Sequence, residues 1–252
     1  MIWCNLIILL CPLINAITNG TALPNGLKAL KPIRPNAFCK QQIKANRLMK
    51  PADGTQFKKG GVTCSSMPLG LITTKKRMVS TLIVSPKDGA TIDASKENII
   101  RLDTINMVTG FFSDANTEYY LAPQTLELGV IQGHQHVTIQ KLDGNRVLDP
   151  KTFAFFKGIN EAASDTQGRQ LQALMPAGSI KENGNYRICS ITGSDTHQPV
   201  LSPVQRRGPQ DDCIRIKVKG AGGKGNNIQV ADDKAQNKNV TVKGKVTGKK
   251  AN

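Results

Sequence analysis

The sequence is poor in side chains that stack and in the patterns that catalyse. Its 252 residues include one Trp, three Tyr, seven Phe and three His. No aromatic residue is interleaved with the lysines of the tail from Gly220, so the chain lacks the platform on which single-stranded nucleic acid stacks, and no specific nucleic-acid partner is expected. There is no Gly-x-Ser-x-Gly elbow, His-Glu-x-x-His pair or phosphate-binding glycine loop, which removes the familiar signatures of serine hydrolases, zinc proteases and nucleotide-dependent enzymes. No Cys-x-x-Cys pair occurs, which argues against a four-cysteine zinc site. No stretch approaches the ~18 uninterrupted apolar residues of a membrane span, and no long stretch has helical spacing.

What is present points outward from the cell. "MIWCNLIILLCPLINA" has the length, apolar centre and small terminal residue of a secretory signal peptide, read here as residues 1–16, although it lacks the usual basic start. Beyond it remain Cys39, Cys64, Cys189 and Cys213, an even set that an oxidising compartment would bridge. Three connectivities are open. Cys39 with Cys64 and Cys189 with Cys213 is favoured, because Cys189 shares a strand face with Arg187 in "YRICSI" and Cys213 shares one with Arg215 and Lys217 in "DCIRIKVK". Sequons at Asn19 and Asn239 are candidate glycosylation sites. The expected product is secreted and extracellular.

Charge divides the chain. Residues 78–219 carry 15 basic and 15 acidic side chains, so the formal net charge of +16 lies in the flanks. Residues 17–77 read as a basic segment with one disulfide, 78–219 as the folded core, and the Lys/Gly/Asn-rich 220–252 as a disordered tail with little apolar surface to bury. The dibasic Lys76-Arg77 marks a candidate cleavage point at the edge of the core.

Within the core, "NIIRLDTINM", "HVTIQKL" and "CIRIKVK" alternate apolar and polar residues, and Gly, Pro, Asn and Asp punctuate them. The expected fold is all-β, an antiparallel immunoglobulin-like sandwich. "ENGNYRIC" is similar to the penultimate strand of such domains, but two residues rather than one separate Tyr186 from Cys189, which turns the cysteine away from the usual intersheet bridge.

Residues 62–218 carry a closer resemblance. "VTCSSMPLG", "STLIVSPKDGATI", "TGFFSDANTEYYLAPQTLELGVIQGHQHVTIQ", "FAFFKGIN", "YRICSITGSDTHQPV" and "RRGPQDDCIRIKV" resemble a family of small secreted fungal proteins. Some members of that family carry a ribosomal-protein label that nothing in these motifs supports. The resemblance implies secretion by a fungus and names no reaction; "KKR" and the lysine-rich tail depart from it.

The chemistry left to consider is histidine. His134 and His136, at i and i+2 on a strand, project from one face about 7 Å apart, a spacing at which two imidazoles can share a metal. His197, on the connection between the last two strands, should emerge at the same end of the sandwich, with Asp195 or Asp114 as a carboxylate neighbour. Cu or Zn suits such a set; the plain alternative is a polar strand face beside Thr138 and Gln140. The same end should carry the long connection 109–133 with Phe111, Phe112, Tyr119 and Tyr120, either a contact surface for ligand or a lid over the core. Two functions remain: a non-catalytic, effector-like binding module for cell-wall polysaccharide or a host surface component, and a histidine-dependent metalloprotein. The pattern leans away from an enzyme and leaves the oligomeric state open.

Overall fold

A computed structural model describes residues 34–56 and 61–222. The signal segment 1–16, the sequons at Asn19 and Asn239, and the tail from residue 223 lie outside the described residues. The described chain is mostly β-strand, with one short helix, α1 (Ala37–Ala45), capped by the Asn36 side chain, which accepts from the Cys39 amide.

Two short strands follow, β1 (Lys50–Pro51) and β2 (Thr63–Cys64), paired in parallel. The core strands are β3 (Ser80–Ser85), β4 (Thr91–Asp93), β5 (Asn98–Ile105), β6 (Met107–Val108), β7 (Leu126–Glu127), β8 (Val130–Lys141), β9 (Phe155–Ile159), β10 (Gln170–Met175), β11 (Gly184–Ser194) and β12 (Cys213–Lys219). They form two sheets. One has the order β10-β5-β3, and the other runs β4-β12-β11-β8-β6, with β7 and β9 also pairing with β8.

Strict alternation builds the interface between them. On β12, Ile214, Ile216 and Val218 are buried while Cys213, Arg215, Lys217 and Lys219 face out. Ile100 and Leu102 of β5 and Ala173 and Met175 of β10 meet Val137, Ile139, Ile188 and Ile216 of the larger sheet in one apolar cluster. Tyr186 is buried in the same cluster, and its hydroxyl donates to the Glu182 carbonyl at 2.8 Å.

The disulfides are Cys39–Cys64 and Cys189–Cys213. β11 and β12 run antiparallel with Arg187 opposite Arg215 and Cys189 opposite Cys213, so the second bridge joins neighbouring strands of one sheet on its outer face. The folded chain also continues past residue 219. Ala94 N–H donates to the Lys219 carbonyl, Ala221 N–H donates to Asn183 Oδ1, and a Cβ on Gly220 would lie 2.1 Å from Asp93 Oδ1.

One strand departs from alternation. β8 is buried almost continuously from Ile131 to Gln140, because both of its faces are covered. Val137 and Ile139 face the intersheet core. Gln135 also lies within the fold, where its amide donates to Thr81 and Thr192 at 2.9 Å each. The other face, carrying His134 and His136, is roofed by the connections that precede β8 and follow β11.

Candidate metal centre

Glycine makes room for the histidines. His134 stands opposite Gly193 of β11, and His136 lies between Ile191 of β11 and Gly158 of β9. A Cβ on Gly193 would sit 3.6 Å from His134 Cε1 and 3.5 Å from His197 Cα, and one on Gly158 would sit 3.5 Å from His136 Cδ2. Two bare cross-strand positions thus leave space on a sheet face for imidazole rings.

His197 arrives from the β11–β12 connection. Its φ of +69° is left-handed, unusual for a residue other than glycine. That turn is closed by His197 N–H donating to the Ser194 carbonyl and Ser194 N–H donating to the Gln198 carbonyl, each at 2.9 Å. The three rings then gather, with centroids 4.6 Å apart for His134–His136, 4.5 Å for His134–His197 and 5.3 Å for His136–His197. One ring nitrogen from each lies within 4.8 Å of the other two. A tetrahedral ion with N ligands at ~2.0–2.1 Å needs donors about 3.3 Å apart, so small ring movements suffice.

Hydrogen bonds select which nitrogens are available. His134 Nδ1 lies 2.9 Å from the Phe111 carbonyl and His136 Nδ1 lies 3.3 Å from the Ile191 carbonyl. A carbonyl only accepts, so each Nδ1 carries the proton and each Nε2 keeps its lone pair for a ligand. His134 Nε2 and His197 Nδ1 are buried with no hydrogen-bond partner. An unsatisfied buried polar atom costs roughly 1–3 kcal/mol, and these two belong to rings whose centroids lie 4.5 Å apart.

Electrostatics agrees with neutral rings. Burial, reinforced by the neighbouring His136 and His197, holds His134 well below the ordinary imidazole value of 6.5. Burial and His136 bring His197 down to about 3. Neutral imidazole is the form that ligates metal.

Both expected carboxylates lie nearby: the charge of Asp114 opposes the lowering of the His197 pKa, and Asp195 Oδ2 is buried without a hydrogen-bond partner. Asp195 Oδ1 accepts from Ser113 Oγ at 2.7 Å, and burial raises its pKa. Asp114 accepts from the Asn116 backbone N–H within its own turn.

The aromatic connection forms the roof. Phe112 packs edge-on against His134 and His197, with centroids at 5.2 and 5.4 Å. Tyr119 lies 5.7 Å from His197 and stacks on Tyr120 at 4.0 Å, its hydroxyl donating to that of Tyr120. Phe112, Tyr119 and Tyr120, like Phe111, are half-buried.

The connection is stitched on two sides. Towards His197, Ser113 N–H donates to the Asp195 carbonyl and Tyr120 N–H to the Thr196 carbonyl. Towards the N-terminal segment, Tyr119 N–H donates to the Gly54 carbonyl at 2.7 Å, and Gln124 exchanges backbone bonds with Leu69 and Leu71.

The model of the CLU5d N-terminal domain matches residues 81–219. The chain belongs to the CLU5d N-terminal domain family. It is 42% identical over 163 residues to Pathogenicity cluster 5 protein d of Colletotrichum graminicola, a match that takes in 63% of this chain and 33% of that relative. The chain thus spans about a third of its curated relative's length. A β-glucosidase from Listeria innocua solved with glucose shares 11% identity over 57% of this chain and 16% of its own, at a TM-score of 0.24. The N-terminal domain of PorA shares 11% identity over 57% of this chain and all of its own, at 0.20. At those scores neither likeness carries an argument. All three histidines fall within the span matched by the CLU5d N-terminal domain model, whereas the clamp residues Gly54, Leu69 and Leu71 precede it.

Two neighbours of the histidines escape a reading by motif: Gly158 and Gly193. Their signal is register, since each lies on a strand beside β8 at the level of a histidine. Register is not visible until the strands are paired.

Proposed function

We propose that the chain is an extracellular fungal protein with an effector-like, non-catalytic binding role, and that its working part is a transition-metal centre in which His134, His136 and His197 hold Cu(II) or Zn(II). The observation that carries the metal is the convergence of three imidazoles, those of His134 and His136 buried and that of His197 half-buried, with one ring nitrogen from each within 4.8 Å of the other two and two Nδ1 atoms turned to backbone carbonyls. The extracellular setting is supported by the signal-like N-terminus and two disulfides. The effector-like role is supported by membership of the family and by the pathogenicity-cluster name of the Colletotrichum relative. An immunoglobulin-type sandwich is the scaffold this reading assumes, supported by the two-sheet strand order and by the Tyr186 hydroxyl bond back to Glu182.

Three neutral imidazoles leave a tetrahedral ion one further position, and either ion suits them. The test is calorimetric. Chelator-treated protein should take up one equivalent of Cu(II) or Zn(II) at neutral pH. His136→Gln should abolish stoichiometric uptake with the far-UV spectrum unchanged, because the side chain leaves the outer sheet face and not the intersheet core. No saturable uptake, or uptake unaltered in His136→Gln, would refute the metal centre.

A further inference from the structure

Beside the histidines lies a buried amide oxygen with no hydrogen-bond partner among the described residues. Asn160 follows directly after β9, whose last paired residue, Ile159, stands opposite Gln135. Continuing that register by one residue brings Asn160 level with His134, on the face that His134 and His136 share. Its Oδ1 is buried and accepts no hydrogen bond.

Gly158 explains where that oxygen goes. A Cβ at 158 would lie 3.0 Å from Asn160 Oδ1 and 3.5 Å from His136 Cδ2, so amide oxygen and imidazole border the space a side chain there would fill. A carbonyl oxygen shut away from water and from every donor is a costly arrangement in the absence of a cation.

Resting on the three-histidine reading above, we propose that Asn160 supplies the oxygen donor at the ion's fourth position, making the centre an N3O set of two Nε2, one Nδ1 and one amide oxygen. An amide oxygen adds no charge, so the bound centre keeps the full charge of its ion. Such a site is filled and closed, which accords with a binding role rather than with turnover.

The experiment compares wild type, Asn160→Leu and Asn160→Asp, each stripped with chelator and titrated with Zn(II) by competition against a chromophoric chelator, with thermal midpoints recorded with and without the ion. Asn160→Leu should lose about 10- to 100-fold in affinity. Its metal-free midpoint should equal or exceed that of wild type, since an unsatisfied buried acceptor has been replaced by an apolar group of similar size. Asn160→Asp should bind more tightly than wild type, because a carboxylate is a stronger ligand in the same place. Wild-type affinity in Asn160→Leu, or affinity below wild type in Asn160→Asp, overturns the assignment. A metal-free midpoint that falls in Asn160→Leu assigns the amide a structural role and overturns it too. Wild type that takes up no ion overturns the three-histidine centre and this proposal together, whereas one equivalent bound with equal affinity in wild type and in both variants overturns only the fourth ligand.

Discussion

A histidine held neutral by burial ties stability to acidity, and the sign is fixed. His134 and His197 are held below 6.5 in the folded protein, His197 to about 3, by burial above all. The unfolded chain therefore takes up protons first as pH falls through 6.5. Stability from these two groups is complete above that pH and is lost progressively on the way down towards 3, at up to about 1.4 kcal/mol per pH unit for each proton. Urea unfolding of the metal-free protein should thus show a midpoint that declines from pH 7 to pH 4. The slope should flatten in His197→Gln, which removes one of the protons. An identical slope in wild type and variant would mean that His197 is not held neutral.

At the scale of elements, the site depends on a clamp outside the strands that carry its ligands. Gly54 has a φ of +93°, and a Cβ there would lie 2.3 Å from Leu121 Cδ1 and 2.5 Å from the Thr117 carbonyl. Gly70, at +101°, approaches the Gln124 backbone as closely, with the nearest atom 2.4 Å from its Cβ position. Both contacts press the N-terminal segment against the connection bearing Phe112 and Tyr119, which is itself bonded to the strand end bearing His197. Gly54→Ala should cost roughly 1–3 kcal/mol through strain and displaced backbone. It should also weaken metal binding, although residue 54 touches no ligand. Calorimetry and thermal melts on the one variant check both halves, and unchanged metal affinity would show that the roof does not position His197.

For the whole molecule, the two disulfides do different work. Cys189–Cys213 ties strands already paired from Gly184↔Val218 onward, and it closes a separation of 24 residues. Replacing both cysteines with Ser should lower global stability by ~3 kcal/mol on the chain-entropy model while preserving the sheet. Cys39–Cys64 lies in the segment that precedes the matched domain. Its loss should act on the clamp, leaving amide-exchange protection of Ile139 and Ile188 in the core near wild type. Exchange measured on the two double variants separates these outcomes, and a core equally deprotected in both would show that clamp and core unfold as one unit.

The alternation in "CIRIKVK" and "HVTIQKL" determined the strands and their inward faces, because a pleated strand presents every second residue to the same side. The three histidines could likewise be picked out as a set, since two share a strand and the third sits in the next connection. The sequence could not decide what covers the outer face of β8. A polar-reading strand face is normally wet, and here residues 111–124 and 193–198, remote in sequence, enclose it by hydrogen bonds that no local pattern encodes. Nor could it place Gly158, Gly193 and Asn160 beside the imidazoles. Those neighbours follow from cross-strand register, which is set by the packing of both sheets on one core. Burial, the tautomers, the depressed pKa values and the orphaned amide oxygen all follow from that enclosure, and so they belong to the tertiary structure alone.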